Sequence, residues 1–359
     1  MTDAVHAELV AVLAGFTIAD ELAFVEPLTS GHIHDTWAVT AGYRRYVAQR
    51  INGEVFGDLD ACEHNLSRID AVLVDHPAVA VPRLARTSAG AVHWTDASGR
   101  TWRLAAFAEG TVAGVFVADA AQAYDVAMMF GRYAASLDAI VGELRPTIAR
   151  FHDLDWRLAQ LDRAAVLDPR GRLDRCRTEV VEVGALATRI ADELAAAQAR
   201  NGPCPMRVAH NDAKVANVRF DAASGRAAMI VDLDTTMPGS ILFDVGELLR
   251  TATVVVAEDA PDVADVSDVE VDEARVAAVV RGMLEGSGGE LTVAERAALA
   301  QAGPLMAIEN AVRFLTDHLA GDGYYGAARP GQNLDRARTQ GAVASALLAC
   351  AGVVDAAAR

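Results

Sequence analysis

One stretch, from residue 207 to residue 234, constrains the fold more than any other part of this sequence. A short apolar segment, Arg207-Val208-Ala209, leads into the polar loop His210–Asn217, and a strand and a turn follow. A second apolar segment runs from Ala227 to Val231 and ends on Asp232-Leu233-Asp234. Apolar segments of this length, bounded by turn-forming residues, are typical of β-strands. The stretch therefore predicts a loop followed by a hairpin, which returns the Asp-Leu-Asp segment to the neighbourhood of the loop.

The polar loop has the spacing His-x-Asp-x-Lys-x-x-Asn, formed by His210, Asp212, Lys214 and Asn217. This layout is typical of a kinase catalytic loop, in which the carboxylate accepts a hydroxyl proton and the amide oxygen holds a metal ion. Lys214 is the only lysine among the 32 Lys and Arg residues. Its compact charge differs most from a planar guanidinium where a phosphoryl group moves, so we expect it to contact that group. The alternative is a charged surface turn that contains a lysine by chance.

The hairpin supplies the second carboxylate that kinases need for the Mg²⁺ bridging the nucleotide phosphates, and Asp232 is the candidate. The alternative is an ordinary polar strand end, where Asp is common. Other phosphate-binding designs are excluded. A Walker A loop requires Gly-Lys-Ser/Thr, whereas the sole lysine follows Ala213, and Gly286-Ser287-Gly288-Gly289 lacks the third glycine of a dinucleotide-binding loop.

Composition excludes several classes of protein. The net charge of −17 argues against a general nucleic-acid binder, because nothing offsets phosphate repulsion. The four cysteines are scattered without a Cys-x-x-Cys pair, so neither a zinc site nor a disulfide framework is indicated. The N-terminus lacks a basic signal peptide, and no apolar stretch reaches transmembrane length. We expect a cytoplasmic enzyme with no nucleic-acid or membrane partner, and the oligomeric state stays open.

Hydrophobic periodicity divides the chain into a strand-rich beginning and a helix-rich remainder. Strands or hairpins are predicted over residues 24–39, 44–51 and 91–104, and helices over residues 59–74, 121–141, 173–200 and much of the chain after residue 273. A short hinge is predicted at residues 105–110, and the acidic residues 259–272 are predicted to form a solvated loop. We therefore expect a nucleotide-covering N-lobe over residues 1–105 and a C-lobe with the catalytic, metal and acceptor sites over residues 106–359.

These features together resemble a known family. The small N-lobe, the hinge, the helical lobe, the loop and the Asp-Leu-Asp segment are similar to the aminoglycoside-phosphotransferase and choline-kinase group. Two later runs, Arg313–Asp317 and Asn333–Gln340, resemble its hexosamine kinase branch. The similarity extends from about residue 30 to residue 340. It implies the α+β class and a bilobal protein-kinase-like fold, with a small β-rich N-lobe and a large, mainly helical C-lobe.

The resemblance and the residue chemistry imply the same roles around the loop. Asp212 is expected to accept or orient the proton of the acceptor hydroxyl, and Lys214 to neutralise the transferring phosphoryl group of ATP. Asn217 and Asp232 are expected to hold Mg²⁺, and Asp234 either holds a second ion or supports the first. Asp244, the next acidic position, is expected to brace the loop rather than bind the metal.

The nucleotide contacts expected in the N-lobe are less constrained. Ser30 and Gly31, with His32, form either a turn over the phosphates or a plain hairpin turn. Gln49 or Arg50 takes the strand position that carries the phosphate-binding lysine of protein kinases, and strand register decides which one faces the nucleotide. Two positions on the following helix, Glu63 and Asn65, are the candidate partners of that residue, and the hinge residues Phe107 and Glu109 are expected to contact adenine through their backbone.

The acceptor is the least constrained part of the site. His32, Arg313 and Tyr325 are expected to bond the hydroxyls or acetamido oxygen of a small sugar. In the alternative, Arg313 forms a salt bridge between helices, while Asp317 and Asp322 cap helices. The hexosamine kinase branch implies phosphorylation of an N-acetylhexosamine at its C1 hydroxyl. The alternative acceptors are an aminoglycoside, another sugar or an amino alcohol. A further alternative is that the protein binds a nucleotide without catalysing a reaction.

Overall fold

The computed structural model describes residues 3–28, 34–261, 263 and 266–359. The predicted phosphate-covering and acceptor residues Ser30, Gly31 and His32 lie outside the described residues. The chain forms two compact units, each assembled from three segments. Unit 1 comprises residues 1–112, 136–149 and 219–238, and unit 2 comprises residues 113–135, 150–218 and 239–359. The predicted division after residue 105 falls within the first segment of unit 1.

Unit 1 is built on antiparallel β-structure. Its elements are α1 (Asp3–Gly15), β1 (Leu22–Pro27), β2 (Asp35–Ala41), β3 (Arg44–Arg50), α2 (Leu59–Leu73), β4 (His93–Thr95), β5 (Thr101–Ala106), β6 (Thr111–Ala113), β8 (Val218–Asp221) and β9 (Ala227–Ile230). Strands β1 to β5 form one sheet, in the order β1-β2-β3-β5-β4. A second sheet has the order β6-β8-β9. The core of unit 1 is the apolar face of α1 packed on inward-facing sheet residues, which include Val39, Trp102 and Leu104. Because side chains alternate along a strand, the same register that buries this core face sets Gln49 directly opposite Arg103 on the neighbouring strand.

Unit 2 is mainly helical. Its elements are α3 (Ala120–Leu137, whose last two residues belong to unit 1), α4 (Leu154–Leu167), α5 (Leu173–Asn201), β7 (Arg207–Ala209), β10 (Met237–Gly239, which begins in unit 1), α6 (Ile241–Ala252), α7 (Glu273–Gly286), α8 (Val293–Ala320), α9 (Gln332–Ala349) and α10 (Ala351–Ala357). The central helix is α8, which begins at a capping box of Thr292 and Glu295 and packs against α5, α6 and α9. Gly246 lets the backbones of α6 and α8 approach each other closely, since a Cβ atom at this position would overlap the carbonyl oxygen of Ala302 on α8.

The sheet-rich N-terminal region and the larger helical C-terminal region agree with the predicted fold class. Element bounds follow the predictions closely where periodicity is strong, as in α2 and α5. Within the described residues no single helix is long and apolar enough to cross a membrane, although α9 and α10 taken together, bent by 56°, pass that test by length and composition.

Candidate active site

In the loop between β7 and β8, the side chains of Lys214 and Asn217 both contact one carboxylate oxygen of Asp212. Lys214 Nζ lies 2.7 Å from Asp212 Oδ2, and Asn217 Nδ2 donates to the same oxygen at 2.9 Å. Asn217 Nδ2 also donates to the backbone oxygen of Asp212 at 2.8 Å, which closes the loop on itself. These bonds use Asp212 Oδ2 and Asn217 Nδ2, whereas Asp212 Oδ1 and Asn217 Oδ1 take no part in them. The three residues that the motif predicts as partners are therefore together in the folded chain.

The charge state of Asp212 follows from these contacts. Burial by itself would raise the pKa of Asp212, but the ammonium group of Lys214 and the bonds from Lys214 and Asn217 outweigh it and hold that pKa below its usual value. Asp212 is consequently an anion at neutral pH. A carboxylate anion is able to orient a hydroxyl group and accept its proton, and this role of Asp212 stays a prediction.

The loop is braced from below by Asp244, in the first turn of α6. Its carboxylate oxygens accept the backbone N–H groups of His210, at 2.9 Å, and Asn211, at 2.7 Å. Asp244 is completely buried, and burial raises its pKa to about 7 despite the two donated bonds. The prediction that Asp244 braces the loop is confirmed, since both oxygens are used to fix its backbone.

In unit 1, the Asp-Leu-Asp segment forms a cluster with His34. One ligand atom each from His34, Asp232 and Asp234 lies within 4.8 Å of the others. Asp232 is only half-buried and has left-handed backbone torsions, with φ 64°. Asp234 is buried, and its oxygens accept bonds from the guanidinium group of Arg103 and from His34 Nε2. Of the two carboxylates, Asp234 is thus bonded to Arg103 and His34, and a metal-binding role for Asp232 stays a prediction.

Arg103, on β5, is the centre of a buried polar network in unit 1. Its Nη2 lies 2.7 Å from both Asp234 Oδ2 and Gln49 Oε1, and its Nη1 pairs with Asp234 Oδ1. Burial alone would raise the pKa of Asp234, but Arg103 and His34 hold it far below the usual range. His34 Nδ1 accepts the backbone N–H of Asn52, so its other nitrogen, Nε2, is the one that donates to Asp234. The network fixes the segment that carries Asp232.

Gln49 and Arg50 point to opposite faces of β3, as neighbouring strand residues must. Gln49 faces Arg103, whereas Arg50 pairs with Asp35, at 2.5 Å, on the adjacent strand β2. The prediction that Glu63 or Asn65 on α2 is the partner of Gln49 or Arg50 is wrong. Glu63 accepts the backbone N–H of Val92, and the buried Asn65 binds the backbone of Arg145 and Thr236. Asn65 thereby ties α2 to the residues that follow the Asp-Leu-Asp segment.

The hinge residues Phe107 and Glu109 are held by Arg45. Its guanidinium carbon lies 3.7 Å from the centre of the Phe107 ring, and its Nη1 pairs with Glu109 at 3.3 Å. The N–H of Phe107 donates to the oxygen of Arg45, and the N–H of Glu109 donates to the oxygen of Phe107. Adenine contacts from this segment stay a prediction.

In unit 2, Arg313 of α8 lies between two aromatic rings. Its guanidinium carbon is 5.3 Å from the centre of the Phe151 ring and 5.4 Å from that of Tyr325. Its ion pair is with Glu309, one turn earlier on the same helix, at 3.7 Å. Arg313 thus does not form the salt bridge between helices that was the alternative to an acceptor role. The Tyr325 hydroxyl is buried and has no hydrogen-bond partner among the described residues.

The two late sequence runs build the segment that carries Tyr325. Asp317, one turn after Arg313 on α8, accepts the backbone N–H groups of Tyr324 and Tyr325 at 2.9 Å each. The buried Asn333, at the start of α9, donates to Asp317, to Asp322 and to the backbone oxygen of Gly326. Asp317 and Asp322 therefore organise a loop rather than cap a helix.

The loop, its brace and the Asp-Leu-Asp cluster agree with a comparison of the whole chain against known protein families. Residues 25–279 match the model of the phosphotransferase enzyme family, which covers well over half of the chain. The chain belongs to this phosphotransferase family. It is therefore a phosphotransferase, and the choline-kinase and aminoglycoside-phosphotransferase resemblance of the sequence is confirmed at the level of the family.

Solved structures confirm the fold of this phosphotransferase. It is similar to an aminoglycoside phosphotransferase from Alicyclobacillus acidocaldarius, with 15% identity, 96% of each chain covered and a TM-score of 0.61. Spectinomycin phosphotransferase in complex with ADP and spectinomycin gives 12% identity, 95% and 98% coverage and a TM-score of 0.61. Choline kinase LicA from Streptococcus pneumoniae gives 13% identity, 96% and 99% coverage and a TM-score of 0.55. The predicted protein-kinase-like fold class is confirmed.

Three polar residues of the phosphotransferase were not assigned a role from the sequence: Arg103, His152 and Arg157. Arg103 lies in an apolar strand, and a lone charge in such a strand is the signal that could have singled it out. His152 belongs to the run Phe151-His152-Asp153, which carried the resemblance without a role. Arg157 donates to the backbone oxygen of Phe151 at 3.0 Å, and burial together with the charge of Arg313 lowers its pKa. Nothing in the sequence near Arg157 indicates that it lies close to Arg313.

Proposed function

We propose that this phosphotransferase is an ATP-dependent N-acetylhexosamine 1-kinase that transfers the γ-phosphoryl group to the C1 hydroxyl of a neutral amino sugar. The observation that carries the proposal is the position of Arg313, with its guanidinium between Phe151 and Tyr325. Flat apolar surfaces flanking a fixed cation suit a compact ring whose hydroxyl or acetamido oxygens accept hydrogen bonds. The same two late sequence runs that resemble the hexosamine kinase branch build this arrangement.

The charges around Arg313 favour a neutral acceptor over a cationic one. Burial and the charge of Arg313 lower the pKa of Arg157, and both arginines act on one carboxylate, that of Glu309. Glu309 is also paired with His152. Glu247 also acts on Arg313, so the carboxylates around Arg313 are engaged by cations of the protein rather than offered to the ammonium groups of an aminoglycoside or an amino alcohol.

Two acidic residues where the acidic stretch begins, Glu258 and Asp259, are paired with arginine side chains. Glu258 lies 3.3 Å from Arg250 and 3.7 Å from Arg336. Asp259 accepts a bond from Gln332 at 2.8 Å and lies 4.0 Å from Arg329. Arginine side chains thus neutralise the described beginning of the acidic stretch, and this supports the neutral acceptor.

In the proposed mechanism, Asp212 Oδ1 orients the acceptor hydroxyl and takes its proton, while Oδ2 keeps its bonds to Lys214 and Asn217. Lys214 neutralises charge on the transferring phosphoryl group, where electrostatic stabilisation contributes most. The family motif assigns Mg²⁺ to oxygen atoms of Asn217 and Asp232, and both residues offer the oxygen ligands that this ion prefers. When bound, Mg²⁺ would neutralise the nucleotide phosphates.

The test is a screen of neutral sugars, aminoglycosides and amino alcohols with ATP and Mg²⁺, read by ADP release and by phosphorus NMR of the product. We expect N-acetylglucosamine or N-acetylgalactosamine to be phosphorylated, with an anomeric phosphate as product. A 6-phosphate, or activity limited to polycationic or ammonium acceptors, would refute the proposal and favour the aminoglycoside or amino-alcohol alternative. Absence of turnover with any acceptor would favour a nucleotide-binding protein without catalysis.

The Arg313→Ala variant tests the acceptor site itself. Loss of an interaction present in both ground and transition states should raise the KM for the sugar by about 10-fold or more and leave the KM for ATP nearly unchanged. The matched control is Arg189→Ala, since Arg189 forms a similar Arg–Glu pair one helical turn apart, with Glu193, on the exposed face of α5. Equal effects of the two variants, or a change confined to the KM for ATP, would exclude Arg313 from the acceptor site.

A further inference from the structure

We propose that His152 acts as a positioning residue, a doubly protonated imidazolium ion that holds the catalytic loop and links it to the acceptor-side helix α8. The proposal rests on the phosphotransferase activity of the proposed function, but not on the identity of the acceptor. His152 follows Phe151 just before α4, and none of the catalytic roles described above requires it. Its hydrogen bonds, however, join the catalytic loop to Glu309, which pairs with Arg313.

The two ring nitrogens of His152 face groups that can only accept hydrogen bonds. Nε2 lies 2.8 Å from the backbone oxygen of Asn211, and Nδ1 lies 3.1 Å and 3.2 Å from the two carboxylate oxygens of Glu309. A neutral imidazole carries one N–H, so it satisfies only one of these acceptors. An imidazolium ion donates to both. The geometry therefore requires a proton on each nitrogen, and the carboxylate of Glu309 balances the resulting charge.

The surroundings of the ring stabilise that charge. Burial alone would lower the pKa of His152, but the charge of Glu309 and the bonds to Glu309 and Asn211 outweigh burial and raise it. The ring stacks against Phe151 and Phe243, with centroid separations of 4.3 Å and 4.5 Å.

Charged groups face the His152 ring from three directions. Arg313 on α8 opposes the positive charge, Asp244 on α6 interacts favourably with it, and Arg157 on α4 interacts with Glu309. Glu309 is fully buried, and its own pKa is lowered, chiefly by His152 against the effect of burial. The pair is thus an ion pair enclosed by apolar rings and further charges.

The bond from His152 fixes the residue immediately before the base. Asn211 has left-handed backbone torsions, with φ 62°, which only a few residue types adopt readily. Its N–H is bound by Asp244, its carbonyl oxygen by His152, and its side-chain amide donates to the oxygen of Ala209 at 3.0 Å. Asp244 consequently holds the peptide group that precedes the Asn211 Cα atom, and His152 holds the one that follows it, between Asn211 and Asp212. Loss of the His152 bond frees this peptide to rotate and displaces the Asp212 carboxylate.

Glu309 connects the loop to the acceptor side, since it lies 3.1 Å from His152 Nδ1 and 3.7 Å from Arg313 Nη1. Deprotonation of His152 leaves the charge of Glu309 to the two arginines, Arg313 and Arg157. A rise in pH therefore acts on both ends of the link, by loosening Asn211 and by drawing Arg313 toward Glu309.

The first experiment observes the ring nitrogens of His152 in the wild-type protein by ¹⁵N NMR and needs no acceptor. The His152 signals are assigned by their loss in His152→Gln and by their shift in Glu309→Gln. At pH 8 an ordinary histidine, with a pKa of about 6.5, is about 97% neutral. We expect His152 to keep imidazolium chemical shifts at that pH. A neutral ring at pH 7 would overturn the proposal, whatever acceptor the enzyme uses.

The second experiment compares the rates of wild type, His152→Gln and a matched control over a range of pH. Gln can still donate to Asn211 but carries no charge for Glu309. We expect kcat to fall by about 10²-fold, as for a misplaced catalytic group, with the KM for ATP within about twofold. The wild-type rate should decline in alkali with the pKa measured by NMR, and that decline should be absent from the variant.

The control is His64→Gln. His64 Nε2 also contacts a backbone oxygen, that of Glu143, at 2.9 Å, but both residues belong to unit 1 and neither is part of the catalytic loop. Far-ultraviolet circular dichroism verifies that each variant is folded. Equal losses in the two variants, a wild-type kcat in His152→Gln, or the same alkaline decline in wild type and His152→Gln would each overturn the proposal.

Discussion

The Arg103–Asp234 ion pair provides the sharpest test of how unit 1 holds its Asp-Leu-Asp segment. Both side chains are nearly inaccessible, with 5% and 2% exposure, and the guanidinium meets the carboxylate through two nitrogens. Replacing Arg103 by Met keeps the volume but leaves a buried carboxylate with His34 as its remaining side-chain partner. Breaking one side of a buried pair typically costs about 3–5 kcal/mol, because the other charge stays uncompensated. We expect a loss of that size in the free energy of unfolding of unit 1.

The assay is urea unfolding followed by tryptophan fluorescence. Trp37, Trp94 and Trp102 belong to unit 1, so the signal reports mainly on that unit. The matched control is Arg86→Met, which breaks the exposed pair of Arg86 with Asp70, whose side chains are 39% and 28% exposed. Exposed pairs contribute about 0–1 kcal/mol. The double variant Arg103→Met with Asp234→Leu should recover most of the stability, because no charge is then left buried.

The pH dependence follows from the depressed pKa of Asp234. A carboxyl group whose folded pKa lies below its unfolded value, about 3.9, stabilises the fold above that pH and loses its contribution as pH falls below it. The difference in the free energy of unfolding between wild type and Arg103→Met should therefore be largest near neutral pH and should shrink in acid below about pH 4. A loss under 1 kcal/mol at pH 7, or equal losses in Arg103→Met and Arg86→Met, would refute the reasoning.

Three further outcomes are expected. Asp212→Asn should reduce phosphoryl transfer by about 10²–10⁴-fold while nucleotide binding survives, and wild-type turnover in an ADP-release assay would contradict the assignment. Lys214→Arg should lower kcat more than it raises the KM for ATP, since an interaction made in the transition state affects kcat. Normal turnover of this variant would contradict the role assigned to Lys214. Gly246→Ala should lower the unfolding free energy by about 1–3 kcal/mol through its clash with α8. Gly184→Ala on α5, with nothing within 4 Å, should instead raise it by about 0.5–1 kcal/mol.

The catalytic loop and the helices with strong periodicity could be predicted because their determinants are local in sequence. His210 to Asn217 carry their chemistry within one loop, and α2 and α5 follow from spacing alone. Small deviations occur at ends, as where α3 ends at Leu137 although a helix is predicted to continue to residue 141. Capping and hydrogen bonding decide such ends, and periodicity does not encode them.

The networks around the site could not be predicted because their partners are distant in sequence. Arg103 pairs with a residue 131 positions later, and His152 with one 157 positions later. Gln49 and Arg50 were distinguishable only once strand register was known, since a shift of one residue exchanges their faces. The roles of Asp317 and Asn333 likewise depend on a loop whose path the sequence pattern does not specify.

The lone lysine has a consequence for how this protein can be studied chemically. Apart from any free α-amino group, an amine-directed acylating reagent finds its one target at Lys214, which lies beside the proposed base with about a third of its side chain exposed. Labelling at that nitrogen therefore reports the state of the active site without any engineered substitution, and protection by a bound nucleotide can be followed by mass alone. A lysine-specific protease likewise cuts the unfolded, unmodified chain at a single bond beside Lys214, and acylation of Lys214 prevents that cut, so the uncut fraction measures the labelled fraction.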